Sequence, residues 1–327
     1  MKQNALLALA LGVTVLAAAS CSINKLAINA VSDALTGNDS GAIFTGDSDP
    51  ELIGQALPFA IKLYEALLAQ NPRHEGLIVT SGSLFVMYAN AFVQGPAERL
   101  DSILVDERYA ALARAKRLYL RGAAILERGL ALRFPGWEAA AREDAFLKDA
   151  EAGVWGVAAA EKLLSRASKQ DAALLYWATA ALLSAYSVDN LDFELGMRIP
   201  LCTDMIARAY ELDPDFGGGT LDDFYVLFYA SVPEGRGGNP EKAKTHFERA
   251  LQKSGGRLAG PYVSWAKAVC VPRQDYADFR RNLEAALAVD LDADPANRLV
   301  NILAQQNARW LLENAAAFFL EIPEEYQ

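Results

Sequence analysis

Apolar positions recur every three to four residues in almost every long segment of the chain. The first clear case begins at Asp49-Pro50-Glu51, which combines a capping aspartate, a proline in the first turn and an acidic residue. The apolar face of the segment that follows consists of Leu57, Ile61, Tyr64 and Leu68. Asn71-Pro72 then supplies a stop signal, because the residue before a proline is disfavoured in a helix. The pattern predicts an amphipathic α-helix between these two signals.

The same periodicity continues along the chain, and the strict alternation typical of β-strands is nearly absent. The further predicted helices are 76–94, 108–133, 137–166, 171–187, 199–212, 220–231, 240–253, 261–271, 276–289 and 295–319. Their connections are short and rich in Gly, Pro, Asn and Asp, most clearly at 217–219 and 235–238. The sequence therefore predicts an all-α fold in which residues 49–320 form one helical repeat domain.

Several of these helices carry the signature that closes a tetratricopeptide repeat. The signature is Ala, an aromatic residue four later, a small or apolar residue three after that, and Pro five further on. The best-fitting set is Ala60, Tyr64, Leu67 and Pro72, a looser set is Cys202, Ile206, Ala209 and Pro214, and partial sets begin at Ala243 and Phe279. Two of the intervals between sets lie near the 34-residue period. We predict a helical-hairpin solenoid of degenerate tetratricopeptide-like repeats with a concave surface; a generic helical bundle is the alternative.

A short uncharged run precedes a cysteine near the N-terminus. The run from Ala5 to Ala19 is shorter than the roughly 20 residues that a membrane span requires. The small residues before Cys21 resemble a bacterial lipobox, in which the cysteine is acylated and becomes the mature N-terminus. We expect a signal peptide at 1–20, lipidation of Cys21, and a lipidated N-terminus and tether at 21–48. An ordinary signal peptide followed by an incidental cysteine is the alternative.

The net charge and the small number of histidines and cysteines argue against several classes of function. A net charge of −10 without a basic block argues against nucleic-acid binding, which needs clustered Lys and Arg. The two histidines and three cysteines lack metal-site spacing, so we expect neither a metal nor a cofactor. An exported chain could oxidise Cys202 and Cys270, but both lie in apolar stretches where buried free thiols are common. Whether the two cysteines form a disulfide depends on the distance between them in the fold.

No combination of residues predicts catalysis. The Ser81-Gly82-Ser83 stretch lies in a predicted helix, whereas a nucleophile elbow needs a strand before it. An envelope hydrolase would need paired carboxylates in a cleft. The nearest group, Glu138, Glu143 and Asp144, is interpreted as a solvated helix surface. We expect a protein that is not an enzyme.

Two groups of residues are candidates for binding. Arg114, Arg117 and Arg121 share one helix face and form either a solvated surface or a partner-docking site. The second group is aromatic and consists of Tyr176, Trp177, Phe224 and Tyr225. Adjacent residues on a helix point about 100° apart, so Tyr176 and Trp177 can both be buried only in wide apolar surroundings. These four residues mark the predicted ligand cavity, with solenoid core as the alternative.

Several segments together resemble the T component associated with tripartite ATP-independent periplasmic (TRAP) transporters, the TatT family. They are DSDPELIGQALPFAIKLYEALLAQNPRHEGLIVTSGSLFVMYANAFVQGPAE (47–98), ALARAKRLYLRG (111–122), ALLYWATAAL (173–182), GRGGNPEKAKTHFERAL (235–251) and NRLVNILAQQNARWLLE (297–313). The resemblance extends from Cys21 nearly to the C-terminus. Asp222 and Asp223 depart from it, because relatives carry a small or His-containing stretch there.

The resemblance implies a lipoprotein of the periplasm, anchored to the inner or outer membrane, with a helical repeat fold. Family members are described as working with the solute-binding (P) component of the transporter, and they can form homotrimers with openings lined by apolar residues. The implied function is therefore that of a transport accessory protein that binds a P component and an apolar small ligand. The alternative is an envelope scaffold or assembly lipoprotein that binds protein partners in a tetratricopeptide groove.

Overall fold

Capping residues and turns set the helix boundaries in the computed structural model, which describes residues 29–36, 42–149, 154–231 and 238–326. The predicted signal peptide, the lipidation site at Cys21 and the glycines at 235–237 lie outside these residues. Asp49 caps its helix as predicted, because its carboxylate accepts hydrogen bonds from the backbone N–H groups of Glu51 and Leu52 at 3.0 Å each. Asn239 caps a later helix by accepting from Lys242 N at 2.9 Å.

The elements follow in chain order. The N-terminal half contains α1 (29–36), α2 (Ala42–Thr45), α3 (Pro50–Gln70), α4 (Glu75–Ala89) with a π-helical extension (Asn90–Gln94), α5 (Gly95–Glu98), α6 (Val105–Arg133), α7 (Trp137–Ala140), β1 (Phe146–Asp149), β2 (Val154–Gly156), α8 (Ala158–Leu164) and α9 (Ala172–Ser187). The C-terminal half contains α10 (Phe193–Gly196), α11 (Ile199–Leu212), α12 (Thr220–Ser231), α13 (Pro240–Ser254), α14 (Gly260–Trp265) with a π-helical extension (Ala266–Cys270), α15 (Val271–Arg273), α16 (Tyr276–Leu287) and α17 (Arg298–Glu313). Short 3₁₀ turns lie at Lys169–Asp171, Phe216–Gly218, Pro295–Asn297, Ala315–Ala317 and Glu324–Tyr326.

Glycines allow α4 and α6 to pack closely as an antiparallel pair. A Cβ atom on Gly129 would lie 2.7 Å from Ile78 Cγ2, and one on Gly122 would lie 2.9 Å from the carbonyl oxygen of Gly82. Positions late in α6 therefore face positions early in α4. These distances leave no space for a methyl group, so the glycines set the spacing of the two helices.

Helices pack mainly on neighbours in the sequence, as a solenoid of hairpins requires. α3 packs on α4, α4 on α6, α6 on α9, and α9 on α11. The C-terminal pairs are α12 with α13, α14 with α16, and α16 with α17. The all-α hairpin architecture predicted from the sequence is confirmed.

The core divides into two clusters that meet at α12. Leu221 belongs to the N-terminal cluster, which reaches back to Ile53 and also takes in Leu299 of α17, whereas Val226 belongs to the C-terminal cluster, which extends to Phe319. The chain also closes on itself, because α17 packs against α2 and α3. Arg298 Nη1 donates to the Gly46 carbonyl at 3.2 Å, and Lys267 Nζ lies 3.3 Å from Glu98 Oε2.

The prediction of a single helix over residues 137–166 is wrong. Residues 137–166 form α7, the antiparallel hairpin β1–β2 and α8 instead of one helix. Contacts from a distant helix stabilise the hairpin: Asp204 in α11 accepts from Lys148 Nζ at 2.9 Å and from Val157 N at 2.6 Å. Gly156 has no side chain that would block this approach, since a Cβ atom there would lie 2.7 Å from Asp204 Oδ1.

The two remaining cysteines do not form a disulfide. Cys202 and Cys270 are buried free thiols in different core clusters. Burial raises the pKa of Cys202 to about 12, so this thiol stays protonated. Both cysteines therefore act as small apolar core residues.

Two described helices are long and apolar enough to cross a membrane by length and composition alone, Pro50–Gln70 and Glu75–Glu98. Both are packed on neighbouring helices of the domain. α3 nevertheless leaves Leu52, Phe59 and Leu63 exposed on its outer side.

Candidate functional site

The predicted aromatic residues of α9 lie side by side and half-buried. The rings of Tyr176 and Trp177 meet edge to face with centroids 5.0 Å apart. Phe216, in the turn before α12, lies 5.1 Å from Tyr176. Burial raises the pKa of Tyr176 far above its usual value, and the nearby carboxylate of Asp223 adds to the rise. The phenol is therefore neutral and sits among apolar groups.

The predicted residues of α12 belong to the same region. Phe224 and Tyr225 meet edge to face at 5.6 Å, and Tyr225 stacks on the ring of His246 at 4.8 Å. Both residues pack against the N-terminal core cluster, as do Tyr176 and Trp177. We call Tyr176, Trp177, Phe216, Phe224 and Tyr225 the aromatic face. The structure places the four predicted residues as two aromatic pairs that pack against the same core cluster. Among the described residues no ring contact joins the two pairs, and Phe216, which was not predicted, extends the α9 pair.

The fully buried carboxylate of Asp222, in the first turn of α12, bonds with side chains of α11 and α13. Asp222 Oδ1 accepts from the Tyr210 hydroxyl at 2.9 Å and lies 2.7 Å from His246 Nδ1. Its Oδ2 lies 2.7 Å from Lys253 Nζ. Burial alone would raise the pKa of Asp222, but the bonds from His246, Lys253 and Tyr210 outweigh it and hold the pKa below its usual range. This network ties α12 to α11 and α13.

The neighbouring Asp223 has a pKa shift in the opposite direction. Burial raises the pKa of Asp223 to about 6, and a hydrogen bond with Ser264 only partly offsets this. Within the described part of the chain, Asp223 Oδ1 is buried without a hydrogen-bond partner. The only sequence signal of this buried network was the presence of two acidic residues in the first turn of an otherwise apolar helix. Nothing in the sequence indicated that Tyr210 and Lys253 would surround one of them.

Two concavities lie away from the aromatic face. One, of about 420 Å³, is lined by Ala131, Gly136, Trp137, Glu138, Ala139 and Arg142. The other, of about 240 Å³, lies between the α3–α4 turn, the end of α6 and the start of α9, where Arg73, Arg133 and Asp171 contribute to its wall. A ligand cavity at Tyr176, Trp177, Phe224 and Tyr225 stays a prediction.

The three arginines of the predicted docking site lie on the surface of α6. Arg114 donates to the Tyr88 hydroxyl at 3.2 Å, and the Arg121 guanidinium lies 4.7 Å from the centre of the Phe85 ring. Arg121 also pairs with Glu65 at 2.6 Å. Arg117 is exposed and forms no ion pair with any residue that the structure describes. It is therefore the arginine that is most available to a partner.

The described residues contain no group of three His, Cys, Asp or Glu side chains placed to hold a metal ion. His246 is bonded to Asp222, and His74 caps α4 by accepting from Leu77 N at 3.1 Å. Glu138, Glu143 and Asp144 are exposed.

A family model described as the TRAP transporter T-component matches residues 46–319, nearly the whole helical domain. The chain belongs to this T-component family. It is also 34% identical over 315 residues to an uncharacterized protein of Treponema pallidum (strain Nichols), covering 93% of this chain and 94% of that protein. The family is a transport accessory component and not a known enzyme family. Membership implies association with a TRAP transporter and a membrane-associated or periplasmic location.

Proposed function

We propose that the protein is a lipid-anchored periplasmic accessory protein that binds the solute-binding component of a TRAP transporter and holds an apolar ligand on the aromatic face. The family match supports the transporter role. The ligand role is supported by two half-buried aromatic pairs, Tyr176–Trp177 and Phe224–Tyr225, that pack against the same core cluster.

Two physical effects would produce this function. An acyl chain on Cys21 confines the protein to a membrane surface, which raises the effective concentration of a partner bound there. Burial of apolar ligand area against aromatic side chains then supplies attraction of about 25 cal/mol per Å². The protein would shelter the ligand from water while the solute-binding component takes it up or releases it. A homotrimer, as the family resemblance implies, would bring several such faces together.

The partner role is tested by measuring binding of the purified solute-binding component encoded beside this protein. We expect association at micromolar or lower concentration, weakened several-fold by Arg117→Glu. Arg309→Glu is the matched control, because Arg309 is also exposed but lies on α17. No binding at micromolar concentration would contradict the transporter role. Equal effects of the two variants would contradict docking through α6.

The ligand role is tested with an environment-sensitive apolar dye. We expect saturable binding that Trp177→Ala weakens, because it removes a large part of the aromatic face. Trp155→Ala should leave binding unchanged, since Trp155 is 48% exposed on the β-hairpin. Association with protein partners without saturable dye binding would favour the envelope-scaffold alternative.

A further inference from the structure

The N-terminal helix α1 is fixed to one end of the helical domain. Its contacts involve side chains on both sides of the α3–α4 turn. They are Asn71 Nδ2 to Asn29 Oδ1 at 2.5 Å, His74 Nε2 to Asp33 Oδ1 at 2.9 Å, and the Tyr64 hydroxyl to the Leu35 carbonyl at 2.7 Å. Ser32 is fully buried between the elements. The chain therefore enters the domain at a defined place.

That place is one of two opposite ends of the α4–α6–α9 layer. Gly129, late in α6, lies against Ile78, early in α4, and against Leu174, early in α9. The α3–α4 turn, the end of α6 and the start of α9 thus form one end, which we call the proximal end. The connections at 95–104 and 188–198 form the distal end, since Lys116 reaches Asp189 at 2.6 Å.

The chain length before α1 limits where a membrane can lie. Eight steps along the chain separate Cys21 from Asn29, and a fully extended chain covers at most about 29 Å over that length. α6 has 29 residues and is about 43 Å long. An inverted molecule, with its distal end on the bilayer, would hold Asn29 roughly one α6 length away. The segment after Cys21 is too short to span that distance.

We propose that the acylated protein stands with its proximal end towards the bilayer and its distal end towards the periplasm. This inference rests on the lipid anchor of the proposed function. It presents the exposed apolar side chains of the distal end away from the membrane, where a soluble partner can reach them. These are Ile103, Val105, Tyr109, Leu191 and Phe193, between 49% and 91% exposed.

The length of the anchoring segment, and not surface charge, is the basis of the proposed orientation. The exposed charges at the α3–α4 turn include both signs, with Arg73 beside Glu75, and vesicles without anionic lipid remove any contribution from the exposed Arg128 and Lys169 near this end. Vesicles of neutral phosphatidylcholine are therefore sufficient for a test.

Energy transfer to the membrane measures the orientation directly. Single cysteines would be introduced as Arg73→Cys at the proximal end and Leu191→Cys at the distal end, both exposed positions. Each acylated chain would carry a donor dye, in vesicles with a headgroup-labelled acceptor lipid. Cys202 and Cys270 are buried, and unmutated chain serves as the labelling control. We expect clearly more transfer from position 73, because the 16-residue α9, which is shorter than α6, already places position 191 about 24 Å from the proximal end.

A second variant separates orientation from anchoring. Insertion of a flexible 20-residue Gly-Ser segment immediately before Asn29 should keep the chain on the vesicles but reduce the difference between the two dye positions. Equal transfer from the two positions without the insertion, or more from position 191, would overturn the orientation while leaving the anchor intact. A chain that does not float with the vesicles would overturn the anchor itself, and the orientation with it.

Discussion

At the scale of single residues, the two adjacent acids of α12 show how burial and partners set opposite properties. Asp222 and Asp223 both lie in the first turn of α12. Asp222 is held ionised by its bonds with His246, Lys253 and Tyr210, whereas one oxygen of Asp223 has no hydrogen-bond partner among the described residues. The same residue type at successive positions therefore favours folding in opposite ranges of pH.

The first prediction concerns Asp222→Asn. The substitution removes the charge that pairs with Lys253 in a buried position, so we expect a loss of about 3 kcal/mol in the free energy of unfolding at pH 7. Because the pKa of Asp222 is lowered by folding, its contribution is present above the usual aspartate pKa and lost as pH falls through the folded pKa. Denaturant titrations at pH 3 to 7 should therefore show a smaller difference between variant and wild type at low pH. Asp215→Asn is the control: Asp215 also faces Lys253, at 3.6 Å, but is 78% exposed, and its loss should cost less than about 0.5 kcal/mol.

The second prediction has the opposite sign. Folding raises the pKa of Asp223 to about 6, so its contribution to stability is present below the unfolded pKa near 4 and lost as pH rises through 6. Asp223→Asn removes the ionisation of this buried side chain, and with it the loss of stability above pH 6. We expect the variant to be as stable as wild type or more stable at pH 7, and to show a flatter stability profile between pH 4 and 6. A variant less stable than wild type at pH 7 would contradict this assignment.

At the scale of elements, helices with strong local signals were predictable from the sequence. The β-hairpin, which depends on a long-range contact, was not. The predicted bounds of α11 and α12 match the structure because proline, glycine and aspartate mark their ends. The β-hairpin was missed because Asp204, 56 residues after Lys148, anchors it. The four aromatic residues were selected by composition, but the contacts of Tyr225 with Tyr210 in α11 and His246 in α13 arise from tertiary packing, which spacing along the sequence does not specify.

A prediction at this scale concerns the contact between α4 and α6. Gly122→Ala places a methyl group 2.9 Å from the backbone oxygen of Gly82, which can move only if the helices separate. We expect a loss of about 1–3 kcal/mol in the free energy of unfolding by denaturant titration. Gly196→Ala is the matched control, because its methyl group would find an ordinary 3.5 Å contact with Tyr186. Its stability should stay equal or rise by about 0.4–1 kcal/mol. Similar losses in both variants would contradict the steric argument.

At the scale of the whole molecule, the core divides into two clusters at α12. We therefore predict that a substitution in one cluster destabilises the helices of that cluster more than those of the other. In a solenoid each hairpin contacts mainly its neighbours, so a cavity lowers local stability before it lowers the stability of the whole. Phe279 is fully buried in the C-terminal cluster, and Phe279→Ala should cost about 3–5 kcal/mol there. Hydrogen exchange should accelerate in α13, α14 and α16 while the amides of α4 and α6 stay protected. Leu126→Ala, in the N-terminal cluster, should give the reverse pattern. Equal acceleration in both halves would instead mean that the Asp222 network and the closing contacts of α17 couple the clusters into one cooperative unit.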